Sequence, residues 1–311
     1  MSSPIAIGID FGGTSIKPAV IRGKEILERG TRIDTQSLNG PDEICCAILA
    51  EIEQLRKKYP DVVAVGLGMP GLINAVDGIV HGLTNVKGWH NVPLRKILAD
   101  GTGLPVAIDN DAKAMAYGEW RFGAASNLPN VACITLGTGI GGGLILNGKL
   151  YRGAQNGAGE IGQTSIDYRG VSAVYGNRGA VERYAGNQQI AENAQRRYAA
   201  AGIQRTLEEC SPAALAAAAN AGDAIARAVW DEVGDQIGAA LANLVWLLNP
   251  NCIILGGGVA QAGELIFEPI RKSLASRTMP EYVKDLLIIP AELGSDAGVI
   301  GAAALAVDSQ T

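Results

Sequence analysis

The chain has 311 residues, enough for two core-bearing halves, because single hydrophobic cores stop growing near roughly 250–300 residues. A hydrophobic content of 48% excludes a disordered chain, and a formal net charge of −5 offers no basic field for nucleic acid. A small neutral or phosphorylated ligand suits that balance better. The five cysteines, Cys45, Cys46, Cys133, Cys210 and Cys252, form no Cys-x-x-Cys pair and no ligand-like spacing, as expected of a reduced, cytoplasmic chain. Met1-Ser2-Ser3-Pro4 leads straight into a strand-like segment, so no signal peptide is expected. The run Ile237–Leu248 carries Asn243 and stops at Asn249-Pro250-Asn251, short of the ~20 residues a membrane-spanning helix needs.

In chain order, Ile5–Asp10 reads as a buried strand, Phe11–Lys17 as a turn and Pro18–Ile21 as a returning strand: a β-hairpin with an acid at its tip. Ile44, Ile48, Ile52 and Leu55 mark a helix over Ile44–Lys58, ended by Pro60-Asp61. Val62–Leu67 is then a strand running into Gly68-Met69-Pro70-Gly71, Pro93–Leu98 begins a helix, and Val106–Ile108 is a strand closed by Asp109-Asn110-Asp111. Interleaved strands and helices make these first ~120 residues one α/β unit.

A second unit opens the same way. Val131–Leu136 is a strand, Gly137–Gly143 a glycine turn, and Leu144–Leu146 a returning strand with Asn147-Gly148 as its hairpin turn. A hairpin with a glycine-rich tip thus occurs twice, which suggests an internal duplication. Ala180–Arg197, Pro212–Asn220 and Asp223–Leu248 are expected to be helical, Cys252–Leu255 a strand running into Gly256-Gly257-Gly258, Leu286–Ile289 a strand, and Val299–Val307 a closing helix.

Chemistry concentrates in the glycine tips and in Asp109-Asn110-Asp111. In Asp10-Phe11-Gly12-Gly13-Thr14-Ser15-Ile16-Lys17, Gly12 and Gly13 permit a tight tip whose N–H groups face phosphate oxygens, Thr14 adds a hydroxyl, and Asp10 can join a Mg²⁺ shell. A plain hairpin needs the glycines but has no use for Asp, Thr and Lys17 together. Gly137-Thr138-Gly139-Ile140-Gly141-Gly142-Gly143 offers bare backbone on both sides of Thr138, again suited to phosphate. Gly256, Gly257 and Gly258, after a strand, can accept a flat ring against bare backbone. Gly66–Gly71 matches a dinucleotide-binding pattern, but Pro70 sits inside the turn and no helix pattern follows.

Together these stretches resemble the two phosphate loops and the adenosine loop of the actin-like ATPase superfamily. More narrowly, Gly66–Gly71, Asn85-Val-Lys-Gly-Trp89, Asp109–Ala112, Gly157-Ala-Gly159-Glu160-Ile-Gly162, Gly176-Asn177-Arg178-Gly179 with Glu182, and Asn249-Pro250 are similar to the signatures of ROK-family sugar kinases. The resemblance implies a ribonuclease H-like two-domain α/β fold with an interdomain cleft. The smaller domain would comprise residues 1–118 plus 299–311 and the larger 119–298. It implies ATP with Mg²⁺ on the Gly12, Thr138 and Gly257 loops, and Asp111 as the base that takes the proton of the 6-hydroxyl of glucose. Asn110, Glu160, Gln163 and Glu182 would bind sugar, with Gly71 in a loop lining the pocket. A homodimer is implied in the same way. Fructose, mannose or an N-acetylhexosamine as acceptor, polyphosphate as donor, and a non-catalytic sugar sensor stay open. A DNA-binding repressor is disfavoured because only four residues precede the first strand.

One departure from the family is concerted. Where many members place a zinc-binding His and three Cys, this chain has Gln163, Ala173, Tyr175 and Ala180, so no zinc is expected. The loop is then expected to keep its shape by packing, with Tyr175 in the metal's place. Trp89 is open to two readings, a sugar-stacking ring or a core anchor. His81 and His90 read as ordinary loop residues.

Overall fold

Alternation along β1 (Ile5–Phe11) places Ile7, Ile9 and Phe11 on one face and Ala6, Gly8 and Asp10 on the other. β2 (Ser15–Arg22) returns antiparallel to it and sets Lys17 opposite Asp10, followed by β3 (Glu25–Arg29) and the short β4 (Ile33–Asp34). Helix α1 (Pro41–Lys58) starts three residues before the expected apolar series, with Pro41 at its first turn. It carries the chain across to β5 (Val62–Met69), which lies parallel to β1, and a small hairpin of β6 (Leu72–Asn74) and β7 (Ile79–Gly82) follows. Helix α2 (Leu94–Thr102) makes the next crossover, to β8 (Val106–Asn110), parallel to β5, and α3 (Asp111–Phe122) leaves from its end. The first sheet runs β3-β2-β1-β5-β8, with β4 beside β2. A computed structural model describes residues 3–83, 86, 88–126 and 128–310.

The same order recurs. β9 (Val131–Leu136) and β10 (Ile140–Leu146) form the second glycine-tipped hairpin, and β11 (Lys149–Tyr151) returns through a turn with Asn147 and Gly148 both at positive φ. Helices α4 (Glu182–Ala185), α5 (Asn187–Ala200), α6 (Pro212–Asn220) and α7 (Ala224–Leu248) precede β12 (Cys252–Gly256). After α8 (Glu264–Arg277) and α9 (Pro280–Val283) comes β13 (Leu287–Pro290), and α10 (Ala297–Asp308) follows. The second sheet reads β11-β10-β9-β12-β13. In both sheets the third, second and first strands are followed by two parallel strands, so the two halves share one strand order.

Two compact units result, one of Met1–Asn127, Gly143–Gly159 and Glu292–Thr311, the other of Leu128–Gly142 and Glu160–Ala291. In the first, Ile7, Ile9, Phe11, Val65 and Leu67 bury against Ile44, Ile48, Ile52 and Leu55 of α1. On the opposite face, Ala6, Ile21 and Ala64 meet Val299, Ile300 and Ala303 of α10. That helix lies so close that a Cβ on Gly8 or Gly66 would strike the carbonyls of Val299 and Ala302. Close helix packing therefore accounts for Gly66, the first glycine of the discarded dinucleotide pattern. In the second unit α7 packs on α8, its Gly234 and Gly238 admitting Pro269 and Ser273.

The helix expected over 180–197 is in fact two. Gly186 is extended (φ −74°, ψ 158°) and separates α4 from α5. The break turns the Asn187 N–H onto the carbonyl of Gly137 at 2.9 Å. No helix among the described residues is long and apolar enough to cross a membrane.

Candidate active site

In the first unit, Asp109-Asn110-Asp111 divides into three jobs. Asp109 is 2% exposed, pairs with Arg152 Nε at 2.7 Å, and accepts the Asn110 N–H at 2.8 Å. Asn110 caps α3: its Oδ1 accepts from the N–H groups of Ala112 (3.1 Å) and Lys113 (3.3 Å), and its amide NH₂ is the group left to meet a hydroxyl. Asp111 opens the helix, and its Oδ1 accepts the Ala112 N–H at 2.8 Å. Burial pushes the Asp111 carboxyl above its usual range against the pull of the Ala112 N–H, and the negative charge of Asp10 pushes the same way. A carboxylate so placed is a stronger base than one in water, as proton abstraction from a hydroxyl requires.

Asp10 is the last residue but one of β1, with Lys17 Nζ 3.3 Å from its Oδ2. The Gly12 N–H closes the tip onto the Ser15 carbonyl at 2.9 Å, so Gly12 shapes the turn. Behind the tip stands Thr35, 4% exposed, whose hydroxyl donates to the Gly13 carbonyl (2.9 Å) and whose N–H donates to that of Thr14 (3.2 Å). Sequence reasoning missed this brace; its only signal was Asp34, which caps the short turn containing Thr35 by accepting the Gln36 N–H. Gly71, at φ +98° with the Gly82 carbonyl against it, turns β5 into β6, a geometry that excludes a side chain. Trp89 is resolved in favour of the core: it is 4% exposed and meets Phe11 edge-on, centroids 5.6 Å apart. Asn85 and Lys87 of the same signature lie outside the described residues.

In the second unit the glycine turn is built from distant parts. Its Gly137 N–H is spent on the Gly139 carbonyl (3.0 Å), its Gly141 N–H on Thr135 Oγ1 (3.1 Å), and its Ile140 N–H on Glu182 Oε2 (2.9 Å). The bare backbone expected on both sides of Thr138 is therefore narrower, centred on Thr138 and Gly139. Glu182, expected only as a sugar ligand, also holds this turn. Its Oε1 accepts from Gln163 Nε2 at 3.3 Å, and Glu160 stands at the start of the same short turn as Gln163, whose N–H its carbonyl accepts at 3.1 Å. The structure thus brings Gln163, Glu182 and the Thr138 turn together.

Gly257, at φ +87°, packs on the backbone of Leu136, next to Gly137, so the third glycine loop adjoins the second. A Cβ on Gly258 would meet nothing within 4 Å, open space of the kind a nucleotide base or ribose requires. Tyr175 does not replace a metal; its side chain is 82% exposed. The segment is held by hydrogen bonds instead: Asn177 Nδ2 donates to the Gln163 carbonyl at 2.7 Å, Ala173 N–H to the Asn177 carbonyl at 2.8 Å, and Gly179 N–H to the Val171 carbonyl at 2.8 Å. Among the described residues no group of three or more His, Cys, Asp or Glu is placed to hold a metal ion. His81 bonds Asn91 through Nδ1 at 2.6 Å.

Twin sheets of this order, each presenting a glycine hairpin, with an acidic triplet where the last strand of the first runs into α3, are the arrangement of the actin-like ATPase class to which sugar kinases belong. A sequence model of the ROK family matches residues 6–309, and the chain belongs to that family. It is 33% identical to a glucokinase of Thermotoga maritima over 96% of each chain, and 36% identical to a glucokinase of Halalkalibacterium halodurans over 97% of this chain and 94% of that one. A ROK family glucokinase from Streptomyces griseus, solved in complex with glucose and AMPPNP, superposes with a TM-score of 0.80 at 34% identity, covering 98% of this chain and 99% of that one.

Proposed function

We propose that the protein is an ATP-dependent glucokinase that transfers the γ-phosphoryl group of ATP to the 6-hydroxyl of glucose. The observation that carries the mechanism is Asp111, a desolvated carboxylate opening α3 beside Asp10. Asp111 takes the hydroxyl proton as the oxygen attacks phosphorus. Asn110, Glu160, Gln163 and Glu182 pair with sugar hydroxyls, because amides and carboxylates match adjacent hydroxyls two at a time. The Gly12–Thr14 tip and the Thr138 turn take phosphate oxygens, and Gly256–Gly258 the adenosine. Phosphoryl transfer leaves the protein mainly positioning and electrostatics to supply.

Asp10 fits a magnesium ion that arrives with ATP, since Mg²⁺ keeps several waters and takes one or two carboxylates rather than an all-protein cage. Bound there, the ion would neutralise charge on the β- and γ-phosphates. The chain is read as zinc-free and cytoplasmic, and as a homodimer. Sugar-phosphate formation measured over glucose, fructose, mannose and N-acetylhexosamines, each with ATP and with polyphosphate, tests the reading. The highest kcat/KM is expected for glucose with ATP; no turnover of any hexose would overturn it. Elemental analysis finding one zinc per chain would overturn the zinc-free reading, and sedimentation at the monomer mass would overturn the dimer.

A further inference from the structure

Away from the glycine tips, the first unit holds a second concentration of charge. A cavity of about 210 Å³ is lined by Val76, Arg95, Arg152 and Ser309 around β8 from Val106 to Asp109. Four consecutive strand residues line it although their side chains alternate between faces, so it runs along the strand's edge. β8 is the last strand of its sheet, and no further strand of that sheet covers this side among the described residues. Arg95 spends Nη1 on the Ala75 carbonyl (3.3 Å) and Nη2 on the Val76 carbonyl (2.6 Å), which fixes its guanidinium at the cavity wall. Arg152 spends only Nε, on Asp109 Oδ2 at 2.7 Å. Its two terminal nitrogens find no acceptor among the described residues, and the side chain is 33% exposed. Asp308, next to Ser309, is claimed by Arg121 Nε at 2.8 Å and the Tyr117 hydroxyl at 2.6 Å. Arg95 and Arg152 against Asp109 therefore leave the cavity wall with a surplus of positive charge.

We propose that this cavity is a second ligand site, which binds a small phosphate monoester with its phosphate between Arg95 and Arg152. A guanidinium presents N–H donors in a planar fork that matches phosphate oxygens, and Arg152 has the outer edge of its fork unused. Nε stays on Asp109 while the terminal nitrogens take the ester, so the buried carboxylate keeps its partner. The volume is several times the roughly 30 Å³ share of a water molecule, which leaves room for an organic body beside the phosphate. Ala107 and Leu305 give that body apolar walls. The site is separate from the glycine tips, yet Arg152 ties it to Asp109, whose Oδ1 takes the Asn110 N–H at 2.8 Å. It goes beyond the kinase reading, which supplies only a convenient probe, since the proposed product is itself a phosphate monoester.

Calorimetric titration with glucose 6-phosphate, and separately with inorganic phosphate, tests the site in the wild type, Arg95→Ala and Ser309→Trp. Saturating glucose and AMPPNP are present throughout, so that the catalytic groups are already occupied. The wild type should still bind glucose 6-phosphate, at least about tenfold more tightly than inorganic phosphate. Arg95→Ala removes one fork and should weaken the ester about tenfold or more. Ser309→Trp, at an exposed position on the rim, fills the cavity and should abolish binding. Both variants should phosphorylate glucose within about twofold of wild type, because neither residue belongs to the catalytic groups. No binding in the wild type overturns the proposal, as does binding that both variants keep. Inorganic phosphate binding as tightly as the ester would show an adventitious ion only, and turnover lost together with binding in both variants would place the ester in the catalytic site. A wild type that phosphorylates no hexose overturns the sugar-kinase reading instead, while the two variants still locate the ester.

Discussion

The two glycine hairpins share one topology but place their carboxylates differently. In the first, the charge belongs to the hairpin: Asp10 stands two residues before Gly12 and faces Lys17 across the ladder. In the second, the corresponding place two residues before Gly137 holds Thr135, a neutral residue that accepts the Gly141 N–H. Its carboxylate comes instead from Glu182, at the start of α4. The last strands differ in the same sense, since β8 ends in Asp109-Asn110 with Asp111 next, whereas β13 ends at Pro290. Repetition of the backbone therefore did not repeat the chemistry. The first unit carries its carboxylates on its own strand ends, and the second arranges neutral donors with a carboxylate supplied from far along the chain.

The largest effect that would sharpen this contrast is loss of the carboxylate at Asp111, the base proposed above. Asp111→Asn should lower kcat by about 10³-fold while glucose still binds; turnover near wild type would remove Asp111 from its role. Next, Arg152→Ala strands the buried Asp109 carboxylate and should cost about 3–5 kcal/mol in urea unfolding. Equal stability would show that Asp109 needs no partner.

In the second unit, Gly257→Ala and Gly258→Ala separate shape from binding. The first forces a side chain into a positive φ against Leu136 and should destabilise the fold. The second meets no protein atom and sits at φ −64°, so it should melt like wild type and raise the KM for ATP about tenfold. An unchanged KM would place the nucleotide elsewhere.

The smallest expected effect is in thermal stability. Because the folded-state pKa of Asp111 is raised, ionising it costs the fold, so its contribution is intact below the ordinary carboxylate pKa and is lost as pH rises through the raised value. Asp111→Asn should therefore melt above wild type at pH 8, with the gap closing as pH falls. A gap that widens on acidification would contradict the raised pKa.

Much of this was legible in the residues. Period-two runs and glycine tips located both hairpins, and the polar triplet after Ile108 marked the junction where β8 gives way to α3. What could not be read were contacts between residues far apart in sequence. Thr35 behind the first tip, Glu182 on Ile140 and Asn177 on Gln163 each join segments whose spacing carries no periodic signal. The break at Gly186 was misread as continuous helix because helical pattern outweighs one glycine. Its reason lies in the Gly137 carbonyl that Asn187 must reach. Tyr175 was misplaced because a metal's vacancy suggests filling by volume, whereas the loop is closed by main-chain hydrogen bonds.

Helix α10 has a consequence for how the protein is made. It covers Ala6, Ile21 and Ala64, residues that leave the ribosome long before it does. Until Ala297–Asp308 is synthesised, the first sheet has one apolar face open, while every residue of the second unit is already available. The unit translated first is thus the one completed last. Nascent chains paused before α10 should expose sticky surface and engage chaperones, and losing that single helix should cost the amino-terminal half its solubility.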